Sequence, residues 1–349
     1  EPEIRVAIFK ETPSLQIRCD GPCDLTAGPS LSVITPSPDN AYTVKPSAHG
    51  FLLNGVETPA EWIEFRPRPP AALAVQNRPY PGYLRVYSAQ DLLTAVNIVP
   101  LERYVGGVVG HEMYASWNIE ALKAQAVASR SFALFRRLSR LRQPFDVMAT
   151  TVSQRYLGDP VPSSVLDAVN QTRGIVLEYD GRVAPGYFCS TCGGYTANAE
   201  EVFGGESTAP YTPVPCPYCV SSRHFEWQAD VRADDISRAV FGPGGPPVVA
   251  LQAMNRRPDG RPAAIRVYTP ATERDIPTAA FRSGLQNPQI KSSRFWITTA
   301  PGGFRLIGRG FGHGVGLCQY GAQQLATLGA AFDVILACYY PKLHLAKAY

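Results

Sequence analysis

The sequence predicts a strand-rich α+β protein with one long buried helix and a β-rich N-terminal region, and three observations carry that expectation. Helical periodicity is confined to residues 116–141, the rest breaks into short β-branched and aromatic runs, and 32 prolines with 30 glycines punctuate them. In chain order, strands are expected at residues 5–9, 31–34, 83–87, 93–99, 175–179, 264–268 and 304–308, each bounded by turn formers. Pro-rich breaks at 66–70 and 242–247 mark element or subdomain boundaries, and no internal repeat is present.

The helix is the most informative element. Ser116 is a good N-cap type, and Glu120 in the first turn suits the positive end of the helix dipole. Leu122, Ala124, Ala126, Val127, Ala128, Phe132, Ala133 and Leu134 then run around the whole circumference, the mark of a buried helix. Lys123, Gln125 and Arg130 project from that rod, and leaving such groups without partners costs about 1–3 kcal/mol or more. They therefore bind one another or line a polar groove. Arg136, Arg137, Arg140 and Arg142 place cations at the negative end of the dipole. Just upstream, Val105-Gly-Gly-Val-Val-Gly-His-Glu112 reads as a Gly-broken turn that delivers one carboxylate, Glu112, to the mouth of the helix.

Bulk properties exclude several classes. With 349 residues and 45% hydrophobic composition, one large or two medium domains can bury a core unaided. A net charge of +4 without a basic stripe does not predict nucleic-acid binding, although it would suit an acidic polymer. No run of about 18 apolar residues predicts a membrane span. The opening Glu1-Pro-Glu-Ile-Arg5 has no signal-peptide pattern, as in a mature exported chain or a cytosolic one.

A second cluster is Gly308-Arg-Gly-Phe-Gly-His-Gly-Val-Gly-Leu-Cys-Gln-Tyr-Gly-Ala-Gln323. Alternate glycines let a ligand approach the backbone and leave Arg309, Phe311, His313, Gln319 and Tyr320 presented, with a short helix over 319–328. It lacks the Gly-Lys-Ser/Thr ending of a phosphate loop. A third signal is Cys189-Ser-Thr-Cys192 and Cys216-Pro-Tyr-Cys219, two knuckles whose spacing suits a four-thiolate zinc site, with disulfides as the competing reading. Four thiolates close the coordination shell, so such an ion is structural. Cys19 and Cys23 flank a Gly-Pro turn and either pair or stay free; burial is expected for Cys318 and Cys338.

Taken in order, Tyr104-Val-Gly-Gly-Val-Val-x-x-Glu-Met113, Trp117-x-x-Glu-Ala-Leu-Lys-Ala-Gln-Ala-Val-Ala-x-Arg-Ser-Phe132, Ser190-Thr-Cys-Gly-Gly-Tyr-Thr-Ala-Asn-Ala-Glu200 and the Gly308-to-Ala322 motif resemble the stage II sporulation protein D family, which includes the amidase-enhancer proteins. The matches fall between about residues 85 and 345, so the expected division is a β-rich region over 1–75 of unknown role and a family-like catalytic domain over 76–349, with an insertion around 226–300. The resemblance implies a peptidoglycan lytic transglycosylase acting on peptide-denuded glycan strands, with Glu112 as general acid and base. It further implies a groove lined by Lys123, Gln125, Arg130, His313 and Gln319, and a cell-wall amidase as a further partner. The implied location is extracytoplasmic. Family members often carry Pro where this chain has Tyr114 and His where it has Cys189.

A single carboxyl group suffices for that chemistry. Protonated Glu112 gives its proton to the leaving oxygen after N-acetylmuramic acid, then takes the proton of the sugar's own 6-hydroxyl as it closes a 1,6-anhydro ring. No second carboxylate is needed, in contrast to glycoside hydrolysis. Apolar neighbours Val108, Met113 and Trp117 would keep the acid protonated, and Lys123 and Arg130 are expected to address substrate oxygens instead of the acid. Trp117, Tyr104 and Phe311 are candidate sugar-stacking rings. Two rival readings stand beside this one: a noncatalytic glycan-binding module that stimulates an amidase, and a thiol peptidase built on Cys318 with His313 or His344.

Overall fold

Period-2 alternation builds the first half of the chain. In a computed structural model that describes residues 1–205 and 209–349, the strands Glu3–Thr12, Leu92–Pro100, Tyr83–Ala89, Trp62–Pro67 and Cys23–Gly28 lie side by side. Val147–Met148 and Ser32–Ile34 complete this seven-stranded sheet at its edges. Its buried positions include Ile4, Val6, Leu25, Ile63, Phe65, Leu84, Val86 and Leu93. A second, six-stranded sheet runs in the order Arg78–Tyr80, Leu73–Val75, Leu15–Cys19, Ala41–Ser47, Gly50–Leu53, Val56–Pro59. Strand content exceeds helix, 37% against 24%, as an α+β fold requires. Each strand expected from sequence overlaps an observed one.

The chain divides into two compact units, Glu1–Gly186 with Leu345–Tyr349, and Tyr187–His344. The boundary expected at residue 75 therefore does not separate the units. Glu3–Thr12 pairs antiparallel with Leu92–Pro100, Val6 opposite Asn97, and Pro100 leads directly into helix α1, Leu101–Glu112. The first N-terminal strand thus shares a sheet with the strand that feeds the helical segment.

Two helices stand where a Gly-broken turn and one helix were expected. Helix α1 runs through Val105-Gly-Gly-Val-Val-Gly110, and α2 spans Ile119–Ser139. Gly107 acts by close packing: a Cβ there would lie 2.7 Å from the Tyr156 ring, whereas Gly106 and Gly110 have 3.4 Å to their nearest neighbours. Helix α2 starts behind Asn118 and not Ser116, because the Asn118 side chain accepts the Glu120 N–H at 2.9 Å. It is buried from Ala121 to Leu134 apart from Lys123 and Phe132, and its last five residues reach the surface. The long buried helix accordingly does not carry Glu112, which ends α1.

In the second unit, two three-stranded antiparallel sheets surround a core of their own. One is ordered Glu226–Arg232, Gly303–Arg309, Phe295–Ala300, the other Ala250–Arg256, Pro262–Tyr268, Glu273–Pro277. Trp227, Ile236, Ile265, Val267, Phe281, Phe295, Phe304 and Leu306 pack together between these elements. Residues 226–300, expected as an insertion, fall in this body, which runs on to Arg309 because Arg309 pairs with Glu226. Among the described residues no helix is long and apolar enough to cross a membrane.

Candidate functional site

Glu112 is the last residue of α1, and the backbone leaves it extended, Met113 having φ −128° and ψ 156°. Tyr104, Val105, Val108 and Val109 anchor the helix in the core, while Glu112 itself is half-buried. Its Oε1 accepts the Arg155 backbone N–H at 2.9 Å. The C-terminal end of a helix carries the negative end of its dipole, which disfavours further negative charge there. Two residues on, the exposed Tyr114 ring packs on Trp117 at 5.5 Å between centroids. Tyr104 is fully buried, its hydroxyl donating to Gln154 Oε1 at 2.9 Å, so it is core and not a sugar platform.

The three polar residues of α2 part company. Lys123 is half-buried in the first turn and pairs with Glu120 at 2.6 Å. Gln125 is buried, its Nε2 donating to Ser129 Oγ at 3.0 Å. Arg130 has no exposed surface. Its Nε and Nη2 donate to the two oxygens of Glu102 at 2.9 and 2.6 Å, and Nη1 donates to the Ile175 carbonyl at 3.0 Å. Glu102 also accepts the Gly174 N–H at 3.0 Å and the Tyr349 hydroxyl at 2.5 Å. Burial alone would raise the Glu102 pKa, but Arg130, Tyr349 and Gly174 outweigh it and hold the carboxyl below its usual range. Arg130 and Gln125 were expected in a groove; the structure instead makes them interior partners. Sequence reasoning missed Glu102 because nothing local marks it: its partner is 28 residues away.

In the second unit the Gly-rich segment lies against its own chain. Gly310 and Gly316 have φ +88° and +72°, and a Cβ on Gly316 would sit 2.1 Å from the Tyr187 carbonyl oxygen. Of the glycines expected to admit a ligand, Gly310, Gly312 and Gly316 thus lie against residues 187–192, while Gly308 meets the Trp227 ring and Gly314 the Arg261 guanidinium. His313 Nδ1 accepts the Val315 N–H at 3.0 Å and its ring packs on Phe203 at 5.2 Å. Burial, opposed by the Phe188 carbonyl and aided by Arg261 and Arg282, lowers its pKa to about 4, so the imidazole is neutral at pH 7. Gln319 is buried at the start of the helix Gln319–Thr327. Phe311 is exposed and packs on His224 at 4.8 Å.

Four buried thiols, Cys192, Cys216, Cys219 and Cys318, have their sulfurs within 4.8 Å of one another. The expected fourth ligand, Cys189, is not among them. Phe188–Cys189 pairs parallel with Leu317–Cys318, the chain bends at Ser190, and Thr191 bridges Phe311. Cys189 and Cys192 stand on either side of that bend, and only Cys192 joins the cluster. Cys216 and Cys219 flank a 3-10 turn, Pro217–Cys219, which brings positions three apart together. Cys318 completes the cluster, its Sγ accepting the Cys192 N–H at 3.3 Å. Burial pushes the Cys189 thiol up to about 12, leaving it a neutral thiol.

The donor set fits a tetrahedral thiophilic ion. Zn–S bonds of about 2.3 Å place sulfurs roughly 3.8 Å apart, and Cys192 and Cys219 are 3.7 Å apart. Hydrogen bonds from Cys192, Cys216 and Cys318 pull Cys219 well below its ordinary pKa, toward the thiolate that binds metal. Around the cluster, Tyr339 OH is 3.1 Å from Cys216 Sγ, and Arg261, itself paired with Asp259 at 2.8 Å, donates to the Cys192 carbonyl at 3.2 Å.

Comparison with known proteins places this geometry among relatives. Residues 89–179 match the family model for the stage II sporulation protein, and residues 219–316 match a domain of unknown function. An uncharacterized protein of Brachyspira hyodysenteriae is 33% identical over 295 residues, 83% of this chain and 73% of that protein. The stage II sporulation protein D of Bacillus subtilis is 28% identical over 73% of this chain and 76% of its own length. The amidase enhancer of Bacillus subtilis is 25% identical over 67% of this chain, a match that spans 39% of that protein.

Proposed function

The chain belongs to the stage II sporulation protein D family, and from that premise we propose that it is a peptidoglycan lytic transglycosylase with Glu112 as its single acid and base. The observation that carries this reading is the contrast between the two carboxylates of α1. Glu102 is closed in a buried pair with Arg130, whereas Glu112 ends its helix half-exposed, two residues before the exposed Tyr114, whose ring packs on the half-buried Trp117.

In the proposed reaction Glu112 protonates the glycosidic oxygen as the C1–O bond breaks, and the departing sugar leaves with a free hydroxyl. The Glu112 carboxylate then takes the proton of the 6-hydroxyl of N-acetylmuramic acid, whose oxygen bonds to C1 and closes the anhydro ring. The Arg155 N–H, donating to the Glu112 Oε1, steadies the carboxylate formed midway. Tyr114 and Trp117 offer pyranose stacking, and Lys123, half-exposed with Glu120, addresses substrate oxygens. Arg130 and Gln125, both buried, are given no substrate-binding role in this reading.

The four-thiolate cluster would hold zinc as a structural ion, fixing the Cys192, Cys216 and Cys318 segments; a shell of four sulfurs leaves no position for substrate. A cell-wall role in an extracytoplasmic compartment follows from the same family reading.

A second reading keeps the glycan and removes the chemistry: the kinship to an amidase enhancer favours a noncatalytic module that stimulates a cell-wall amidase. Mass analysis of products from purified denuded glycan strands separates the two. Anhydro-terminated fragments from the parent and none from Glu112→Gln support the lyase; an unchanged glycan pool with amidase stimulation retained by Glu112→Gln supports the module.

A further inference from the structure

The sheet formed by Glu226–Arg232, Gly303–Arg309 and Phe295–Ala300 buries one face in the core and leaves the other open. Trp227, Ala229 and Val231 alternate inward while Glu226, Gln228, Asp230 and Arg232 point outward. Across the open face, register aligns Gln228 with Ile307 and Ile307 with Trp296. Trp296 and Ile307 are 39% and 45% exposed, an unusual placement for an indole beside a β-branched aliphatic. A shallow pocket of about 290 Å³ opens there, lined by Glu226, Trp296, Ile307, Gly308 and Arg309. That is near the lower bound of the roughly 300–1,000 Å³ small-ligand range, room for about one pyranose ring.

The charges around the pocket define the occupant. Glu226 pairs with Arg309 at 2.9 Å and Asp230 with Arg305 at 2.6 Å, so the flanks are neutral but rich in planar hydrogen-bonding groups. Arg256 differs. Its guanidinium lies 5.1 Å from the Trp296 ring centroid, held by the carbonyls of Gly260 and Phe295 at 2.5 and 3.1 Å. Among the described residues no carboxylate pairs with it. A preset cation on an exposed indole, flanked by neutral polar pairs, complements a sugar that has an apolar ring face, several hydroxyls and one carboxylate.

We propose that this open sheet face is a second saccharide site that takes a muramoyl residue of denuded glycan, its ring against Trp296 and Ile307, its hydroxyls on Glu226 and Arg309, and its lactyl carboxylate on Arg256. The choice of muramoyl glycan over other acidic saccharides rests on the proposed function above; the site itself lies in the segment that matches a domain of unknown function.

The test uses the full chain carrying Glu112→Gln, so that ligand persists, with a peptide-free muramoyl tetrasaccharide and chitotetraose as probes. Amide exchange at residues 226–232 and 303–309 slows on adding the muramoyl probe. Trp296→Ala weakens that protection about tenfold in probe concentration, and Trp296→Phe restores most of it. Arg256→Gln removes the preference for the muramoyl probe over chitotetraose. Sheet amides that ignore saturating probe, or a Trp296→Ala chain protected like its parent, overturn the site. Equal affinity for the two probes in the Arg256-containing chain overturns the carboxylate assignment. Sheet protection that persists while the Glu112-intact chain yields no anhydro products would sink the proposed activity and leave this site standing.

Discussion

Substituting Glu102 with Gln removes the charge that partners Arg130 while keeping the side chain's size. Arg130 then remains as a fully buried guanidinium whose remaining protein acceptors are carbonyls, those of Ile175 and Val169. Breaking a buried pair from one side costs about 3–5 kcal/mol. The carboxamide oxygen introduced at this position can still accept one of the Gly174 and Tyr349 donors, so roughly 1 kcal/mol more attaches to the other. At about 2–4 °C per kcal/mol for a unit of this size, unfolding should fall by roughly 8–24 °C. Arg130→Met should destabilise strongly at pH 7 but less at pH 4. Glu102 has a depressed folded pKa, so its pair stabilises above the unfolded carboxyl pKa and that contribution fades as pH falls through the folded value. Glu102→Leu with Arg130→Met should recover most of the loss. Thermal and denaturant unfolding followed by far-UV circular dichroism provide the assay. An Arg130→Met chain that unfolds like its parent but fails to turn over glycan would refute the reasoning and return Arg130 to the substrate.

The remaining predictions follow from other particular contacts. Metal analysis of purified chain should find one zinc per molecule, lost in Cys318→Ser and kept in Cys189→Ser; the opposite pattern would restore the spacing-based ligand set. His313 has a folded pKa near 4 against about 6.5 unfolded; its contribution is therefore full above pH 6.5 and is lost as pH falls toward 4, at most about 3 kcal/mol. His313→Asn should flatten the unfolding temperature over that window, and an unchanged slope would contradict the neutral, buried assignment. Gly107→Ala should destabilise by about 1–3 kcal/mol because its Cβ meets the Tyr156 ring at 2.7 Å. Gly110→Ala, with 3.4 Å to the nearest atom, should gain up to about 1 kcal/mol from helix propensity.

Local pattern disclosed what local physics determines. Short β-rich runs between turn formers located seven of the strands, and the all-round apolar run located α2, since both signals lie within a dozen neighbouring residues. Long-range pairing was hidden. Nothing near Glu102 announces Arg130, and nothing before residue 75 announces that Glu3–Thr12 joins Leu92–Pro100. Glycine misled in both motifs for one reason: absence of a side chain permits a turn or a ligand, but equally a close neighbour, and only the neighbour's identity distinguishes them. At Gly107 that neighbour is Tyr156, and at Gly316 it is the Tyr187 carbonyl. The cysteines misled differently: Cys216 and Cys219 converge across a 3-10 turn, whereas Cys189, in strand register with Cys318 ahead of the bend at Ser190, stays outside the cluster that Cys192 joins.

The central claim is that Glu112 alone manages the proton while the sugar supplies its own nucleophile. Digesting denuded glycan in water enriched in oxygen-18 tests it most directly. The account predicts 1,6-anhydro ends that carry no heavy oxygen, formed by the parent and absent with Glu112→Gln. Reducing ends bearing the label, or unlabelled anhydro ends still formed by Glu112→Gln, would contradict it.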